Sequence, residues 1–178
     1  MKNVRDRMPV EVYPGVFAFD LFTRETCSRL LKKIEAQRSD KYEAPNSMNK
    51  YGVVLGGELK PGIASIVVGW VAPISKENYP EINALKKHPY AFSVDYDVGK
   101  QRSLSSHVDT SDVTLNVCIG GEFEGGEVVF YEGRKPAFEY KNVVGRAIVH
   151  RGSLMHRAKP VTRGWRTNLI LWCDAKAK

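Results

Sequence analysis

The chain has 178 residues, 43% of them hydrophobic and 26% charged, with a net charge of +7. That size fits one domain, and the balance excludes a disordered or fibrous chain. No apolar run approaches the roughly 20 residues needed to span a bilayer, and the charged start MKNVRDRMPV lacks the apolar stretch of a secretory signal.

The three cysteines, Cys27, Cys118 and Cys173, are widely spaced and odd in number. They read as buried, reduced thiols of an intracellular, cytoplasmic protein rather than as disulfide or zinc ligands. The basic residues are scattered, without a long Lys/Arg run, so a nucleic-acid partner is not the expectation.

In chain order, Val10 to Phe19 is apolar-rich around a Pro14-Gly15 turn and predicts a strand pair. Thr23 then caps a helix. Glu25 sits in its first turn, and Cys27, Leu30, Leu31 and Ile34 form one apolar stripe. Ser39 to Gly62 is rich in Asn, Gly, Lys and Pro and predicts a long loop with a short strand at Tyr51 to Leu55. Long loops in compact domains are usually functional, and Tyr42 to Lys60 is the expected lid. A second helix is predicted over Gly62 to Val71, with Pro61 at its first position and Pro73 ending or kinking it.

From Tyr90 the pattern changes to short strand-like runs, AFSVDY, DVTLNVCIG, EVVFYEG, VGRAIVH and RTNLILW, punctuated by glycine. Such runs predict a sandwich or barrel, and the preceding helices a buttress on one side. The fold class is α+β, mainly β. Residues 1–178 form a single domain, with helical support and lid loop over 1–89 and a β core over 90–174. In DVTLNVCIG, Val113, Leu115, Val117 and Ile119 share one face and belong to the core, which turns Thr114, Asn116 and Cys118 towards a pocket. Gly125 and Gly126 predict a turn with positive φ.

The chemistry begins at His107-Val108-Asp109. In an extended segment residues two apart point the same way, so imidazole and carboxylate make a two-ligand bite for one metal. Two histidines and one carboxylate form the facial triad of non-haem iron(II) oxygenases, and His150, His156 and His88 are the candidates for the third ligand. A 2-oxoglutarate cosubstrate would also need a buried cation for its far carboxylate, which an arginine fork answers best. Arg166 lies ten residues after His156 across a Pro160-to-Gly164 turn, with Asn168 on the same face.

Taken together, HVD, EGG and HRGSLMHRAKPVTRGWR resemble the 2-oxoglutarate/iron(II) oxygenase superfamily, whose fold is a double-stranded β-helix or jelly roll. The spacing from His156 to Arg166 resembles the prolyl and lysyl hydroxylase branch. The PNSMNKYGVVL segment, the TLNV run and the HRG…H…P.T.G.R.NL..W ending are similar to the 2-oxoglutarate and iron-dependent oxygenase domain-containing proteins, over roughly Ala44 to Cys173. The resemblance implies iron(II) on His107, Asp109 and His156, with O2 as cosubstrate, and admits ascorbate as a reductant. It puts the C5 carboxylate of 2-oxoglutarate on Arg166, with Tyr96, Asn116 and Asn168 beside it. His150 becomes a neighbour of the ligands, and His88 a structural or exposed residue.

The implied reaction is hydroxylation of an aliphatic C–H, first of all in a prolyl or lysyl side chain of a protein or peptide. A free amino acid or small metabolite is the alternative substrate. A nucleic-acid demethylase or a jelly-roll binding module without turnover stands behind these. Asn46, Asn49, Tyr51, Arg102 and Trp165 are the candidate substrate contacts.

Overall fold

The computed structural model describes residues 8–38 and 50–177. The chain opens on a hairpin, β1 (Val10–Tyr13) and β2 (Val16–Asp20), turned at Gly15 with φ 74°. Helix α1 (Arg24–Ala36) follows. The Thr23 hydroxyl accepts the Thr26 N–H at 3.1 Å, the N-cap its sequence predicts. Cys27 and Ile34 of its apolar stripe are buried, and Leu30 and Leu31 pack beside them. Only Val54 of the predicted 51–55 strand makes a β-bridge, to Phe92.

The second helical region runs further than expected. A 3-10 turn (Gly57–Leu59) leads into α2 (Lys60–Ile66), a π-helical stretch (Val67–Val71) and α3 (Ala72–Asn78). Pro73 does not end this run. Its missing N–H and its ring would break regular i→i−4 bonding, and the wider turn just before it relieves both. Among the described residues no helix is long and apolar enough to cross a membrane.

The remaining strands are β3 (Tyr90–Asp97), β4 (Leu104–His107), β5 (Val113–Gly120), β6 (Phe123–Gly125), β7 (Val128–Glu132), β8 (Lys135–Tyr140), β9 (Arg146–Arg151), β10 (His156–Ala158) and β11 (Val161–Cys173). They form two antiparallel sheets. The major one has the order β1-β2-β9-β5-β11-β3, with β6 also on β11, and the minor one β4-β10-β7-β8. This is the jelly roll with helical support that the sequence implied.

The two faces of the major sheet differ in chemistry. Leu115, Val117, Val149, Leu169 and Leu171 pack with Phe17 and Phe19 against the helices, joining Ile34, Ile63, Val67 and Ile74 in the largest apolar cluster. Each such side chain stabilises the fold by roughly 1.5–3 kcal/mol at most. Two smaller clusters lie on the inner side. One is built around Phe130 and Ile148, the other around Phe92, Val94 and Ile170. All three cysteines are buried and free.

Gly125 and Gly126 both have φ of 73°. At Gly126 a Cβ would stand 2.7 Å from a guanidinium nitrogen of Arg166, so the turn also leaves room for that side chain.

Candidate active site

Strands β4 and β10 place His107 directly opposite His156. The register slips between this pair and the next, Leu104 opposite Ala158, so β4 bulges at its exposed Ser105 and Ser106. Asp109 follows just beyond β4, held by its own N–H to the Gly152 carbonyl at 2.9 Å. Gly152 is packed so closely on Ser111 that a Cβ would lie 1.8 Å from that residue's carbonyl oxygen. The strand pair and this loop contact bring the three side chains together.

The ligand atoms of His107, Asp109 and His156 all lie within 4.8 Å of one another. His107 Nε2 is 3.7 Å from one Asp109 oxygen and His156 Nε2 is 3.8 Å from the other. Each imidazole gives its Nδ1–H to a backbone carbonyl, His107 to Ser105 at 2.7 Å and His156 to Leu154 at 2.8 Å. Both Nε2 lone pairs therefore face the carboxylate, an arrangement that a cation between them relieves. Burial, with help from His150, pushes His156 down to about 4, which keeps it in the neutral form a metal needs. Asp109 is oriented by the Thr114 hydroxyl at 2.6 Å, which also pairs with Ser111 at 2.8 Å. Two imidazoles and one carboxylate gathered at one cavity fit iron(II).

Arg166 is 0% exposed. On β11 it sits opposite Tyr96 of β3, and its guanidinium carbon lies 4.4 Å from the Tyr96 ring centre and 5.4 Å from that of Phe123. Nη1 donates to the Gly126 carbonyl, while Nε and Nη2 are buried without a partner. A buried cation with two idle donors is costly unless an anion reaches it, and a terminal carboxylate of 2-oxoglutarate meets that need. Asn168 donates to Asn116 at 2.6 Å and to Asn142 at 3.3 Å, and Asn142 donates to the Gly126 carbonyl at 2.9 Å. Arg166, Asn168, Asn116 and Asn142 thus surround one glycine turn. Burial raises the Tyr96 phenol, so it stays protonated and able to donate.

The turn expected at Pro160 to Gly164 is not a hairpin, since β11 does not pair with the His156 strand. The chain crosses at Lys159-Pro160 from the minor sheet to the major one, and Gly164 lies within β11 with φ 72°. Arg166 lies on the opposing sheet beside Tyr96, which lines the triad cavity, and itself lines a second one.

The candidate substrate contacts fare differently. Tyr51 and Trp165 line a second cavity of about 340 Å³, shared with Asp95, Lys100 and Arg166, and do not line the triad cavity. Arg102 is exposed, and its carbonyl accepts the Val161 N–H. Asn46 and Asn49, with most of the expected lid, lie outside the described residues. His88 is exposed, as expected.

His150 is fully buried, with its ring centre 4.9 Å from that of His156 and 5.2 Å from that of Phe130. Its Nδ1–H reaches the Arg151 carbonyl at 2.8 Å, and Nε2 has no partner. Sequence reasoning missed Asn142 and Trp172 around the site. Only Trp172 could have been found, because it shares the parity of Arg166 and Asn168 along β11.

The OGFOD2-like domain family matches residues 1–84. Over 96% of its length the chain is 37% identical to 2-oxoglutarate and iron-dependent oxygenase domain-containing protein ICU11 of Arabidopsis thaliana, covering 48% of that protein. Over 93% of its length it is 36% identical to 2-oxoglutarate and iron-dependent oxygenase domain-containing protein 2 of Danio rerio, covering 51%. The chain thus spans about half the length of these curated relatives. The viral collagen prolyl hydroxylase of Paramecium Bursaria Chlorella virus-1 superposes with a TM-score of 0.68 at 17% identity, covering 91% of this chain and 97% of that one. That likeness shows the shared jelly roll. In sequence the chain is thus similar to the 2-oxoglutarate and iron-dependent oxygenase domain-containing proteins over about half of their length, with an OGFOD2-like domain match in its first half, and its fold is the jelly roll.

Proposed function

We propose that the chain is an iron(II)- and 2-oxoglutarate-dependent hydroxylase acting on an aliphatic C–H of a protein or peptide, with a prolyl or lysyl side chain as the first candidate. The observation that carries this reading is the pairing of a compact His107, Asp109, His156 group with the buried, half-unpartnered Arg166. The choice of side chain rests on likeness. The chain is 27% identical to procollagen-lysine,2-oxoglutarate 5-dioxygenase 1 of Rattus norvegicus over 90% of its length, covering 24% of that protein, and its fold is that of prolyl hydroxylases.

When bound, the iron supplies the oxidation, in which O2 and 2-oxoglutarate give succinate and CO2 and one oxygen atom enters the substrate C–H. The protein does the rest. His107, Asp109 and His156 would hold the metal at the cavity they line. Thr114 fixes the carboxylate, and the two Nδ1–H bonds fix the ring orientations. Arg166 with Tyr96 grips the far carboxylate, which sets how the cosubstrate meets the metal. Phe92, Val94 and Ile170 keep the inner cavity apolar and poor in water. None of these roles needs a side chain that gains or loses a proton.

The test is a peptide panel incubated with iron(II) and 2-oxoglutarate. Succinate release should rise together with a mass gain of one oxygen on one peptide class. Succinate formation unaffected by removing iron would reject the reading.

A further inference from the structure

Asn142 lies in the loop between β8 and β9 and is buried away from the triad cavity, yet it begins a chain of side-chain amides that ends on that cavity's wall. Its Nδ2 donates to the Gly126 carbonyl at 2.9 Å. A backbone carbonyl can only accept, so this contact fixes which end of the Asn142 amide points where. Asn142 Oδ1 then accepts from Asn168 Nδ2 at 3.3 Å, and the same Nδ2 donates to Asn116 Oδ1 at 2.6 Å. The oxygen of Asn116 is taken, and its N–H groups are left for the cavity, which it lines together with His107, Asp109 and His156. No other side-chain hydrogen bond among the described residues sets this sense, because Asn168 Oδ1 is buried without a partner. Without Asn142, Asn168 and Asn116 could turn over together, keep the bond between them, and show the cavity an oxygen instead.

We propose that Asn142 is a positioning residue that sets the Asn116 amide as a hydrogen-bond donor towards 2-oxoglutarate. The proposal rests on the hydroxylase reading and adds to it a residue that does not touch the cosubstrate. The carboxylates and the keto group of 2-oxoglutarate offer only acceptors, so an amide that shows them an N–H attracts and one that shows them an oxygen repels. A guanidinium has donors alone and needs no such guidance. Asn116 can face either way, and in a buried site the wrong choice leaves unlike partners unpaired. Asn142 carries the choice from the backbone at Gly126 to the cavity wall. The same Gly126 carbonyl also accepts from Arg166 Nη1, so one turn serves both the arginine and the amide chain.

The test reads binding rather than turnover. The full chain is loaded with zinc(II) in place of iron and titrated with 2-oxoglutarate, while the side-chain amide N–H resonances are followed by NMR. The Asn116 pair is the one lost in Asn116→Leu, and in the wild type it should shift as 2-oxoglutarate binds. Asn142→Leu, a change of similar volume, should weaken 2-oxoglutarate binding about tenfold and leave zinc affinity unchanged. Asn142→Ser removes the same two bonds with a smaller side chain and should behave alike. In an Asn116→Leu background, Asn142→Leu should weaken binding by less than about twofold further, because its effect passes through Asn116.

A wild-type chain that binds 2-oxoglutarate without any shift of the Asn116 amide would overturn the proposal before any variant is made. So would Asn142→Leu or Asn142→Ser binding at wild-type strength. Losses from Asn142→Leu and Asn116→Leu that multiply in the double variant would also overturn it, since a purely structural role acts independently of Asn116. A wild-type chain that binds no 2-oxoglutarate at all would defeat the hydroxylase reading itself, and this proposal with it.

Discussion

The outer face of the major sheet and its inner face use alternate residues of the same strands for opposite ends. On the outer face Leu115, Val117, Leu169 and Leu171 meet the helices, and every one is at most 1% exposed. On the inner face Asn116, Arg166, Asn168 and Trp172 carry polar groups, and the last three hold buried atoms without a partner. Buried polar groups are ordinarily paired, so a concentration of idle ones on one face of a sheet marks where ligands can complete the structure. The outer face makes the fold stable. The inner face forgoes part of that stability, as the proposed metal and diacid sites require.

The largest effect expected from this contrast is at the metal. Asp109→Ala should lower iron-dependent succinate formation by about a thousandfold or more, in line with loss of a metal-anchored catalytic centre. Succinate release at the wild-type rate would show that the inner carboxylate serves some other end.

Next comes a pair of substitutions on β11, one from each face. Leu171→Ala should cost about 2–5 kcal/mol and lower the melting temperature by roughly 5–15 °C. Arg166→Met should leave the melting temperature of the ligand-free chain unchanged or higher, because it removes a buried cation that lacks a counter-ion. The same change should abolish the thermal stabilisation that 2-oxoglutarate gives the wild type. Strong destabilisation by Arg166→Met, with cosubstrate binding intact, would erase the distinction between the faces.

A pH titration sharpens the comparison further. His156 has a folded pKa near 4 against an ordinary value of 6.5, and burial lowers His150 as well. Between those pH values the unfolded chain binds more protons than the folded one. The metal-free chain should therefore lose stability as pH falls from about 6.5 towards 4, and His156→Asn should flatten the curve. Equilibrium unfolding across that window checks the slope. The smallest expected effect is at the outer support. Thr23→Ala removes the cap of α1 and should cost about 1 kcal/mol by denaturant unfolding, with no change in 2-oxoglutarate affinity.

Much of this was legible in the sequence, for reasons that separate local from distant information. His107 and Asp109 share a face because of strand periodicity, and the alternation in Val113 to Ile119 told core from cavity. The same rule tells against Trp165 as a contact at the triad, since it neighbours Arg166 on β11 and must point to the other side of the sheet. Asn142 could not be read in advance. Its place depends on which elements meet around the Gly126 turn, a matter of topology rather than spacing. The sequence admitted either an end or a kink at Pro73, and the helical run continues because one wider turn upstream absorbs the proline.

The most direct measurement is an anaerobic titration of iron(II) and 2-oxoglutarate into the chain, read by the visible charge-transfer absorption of a 2-oxo acid chelating iron(II). The wild type should develop the band at one equivalent of each, and Asp109→Ala should not. A wild-type chain that shows no band, or an Asp109→Ala variant that shows it at full strength, would contradict the assignment of the metal to His107, Asp109 and His156.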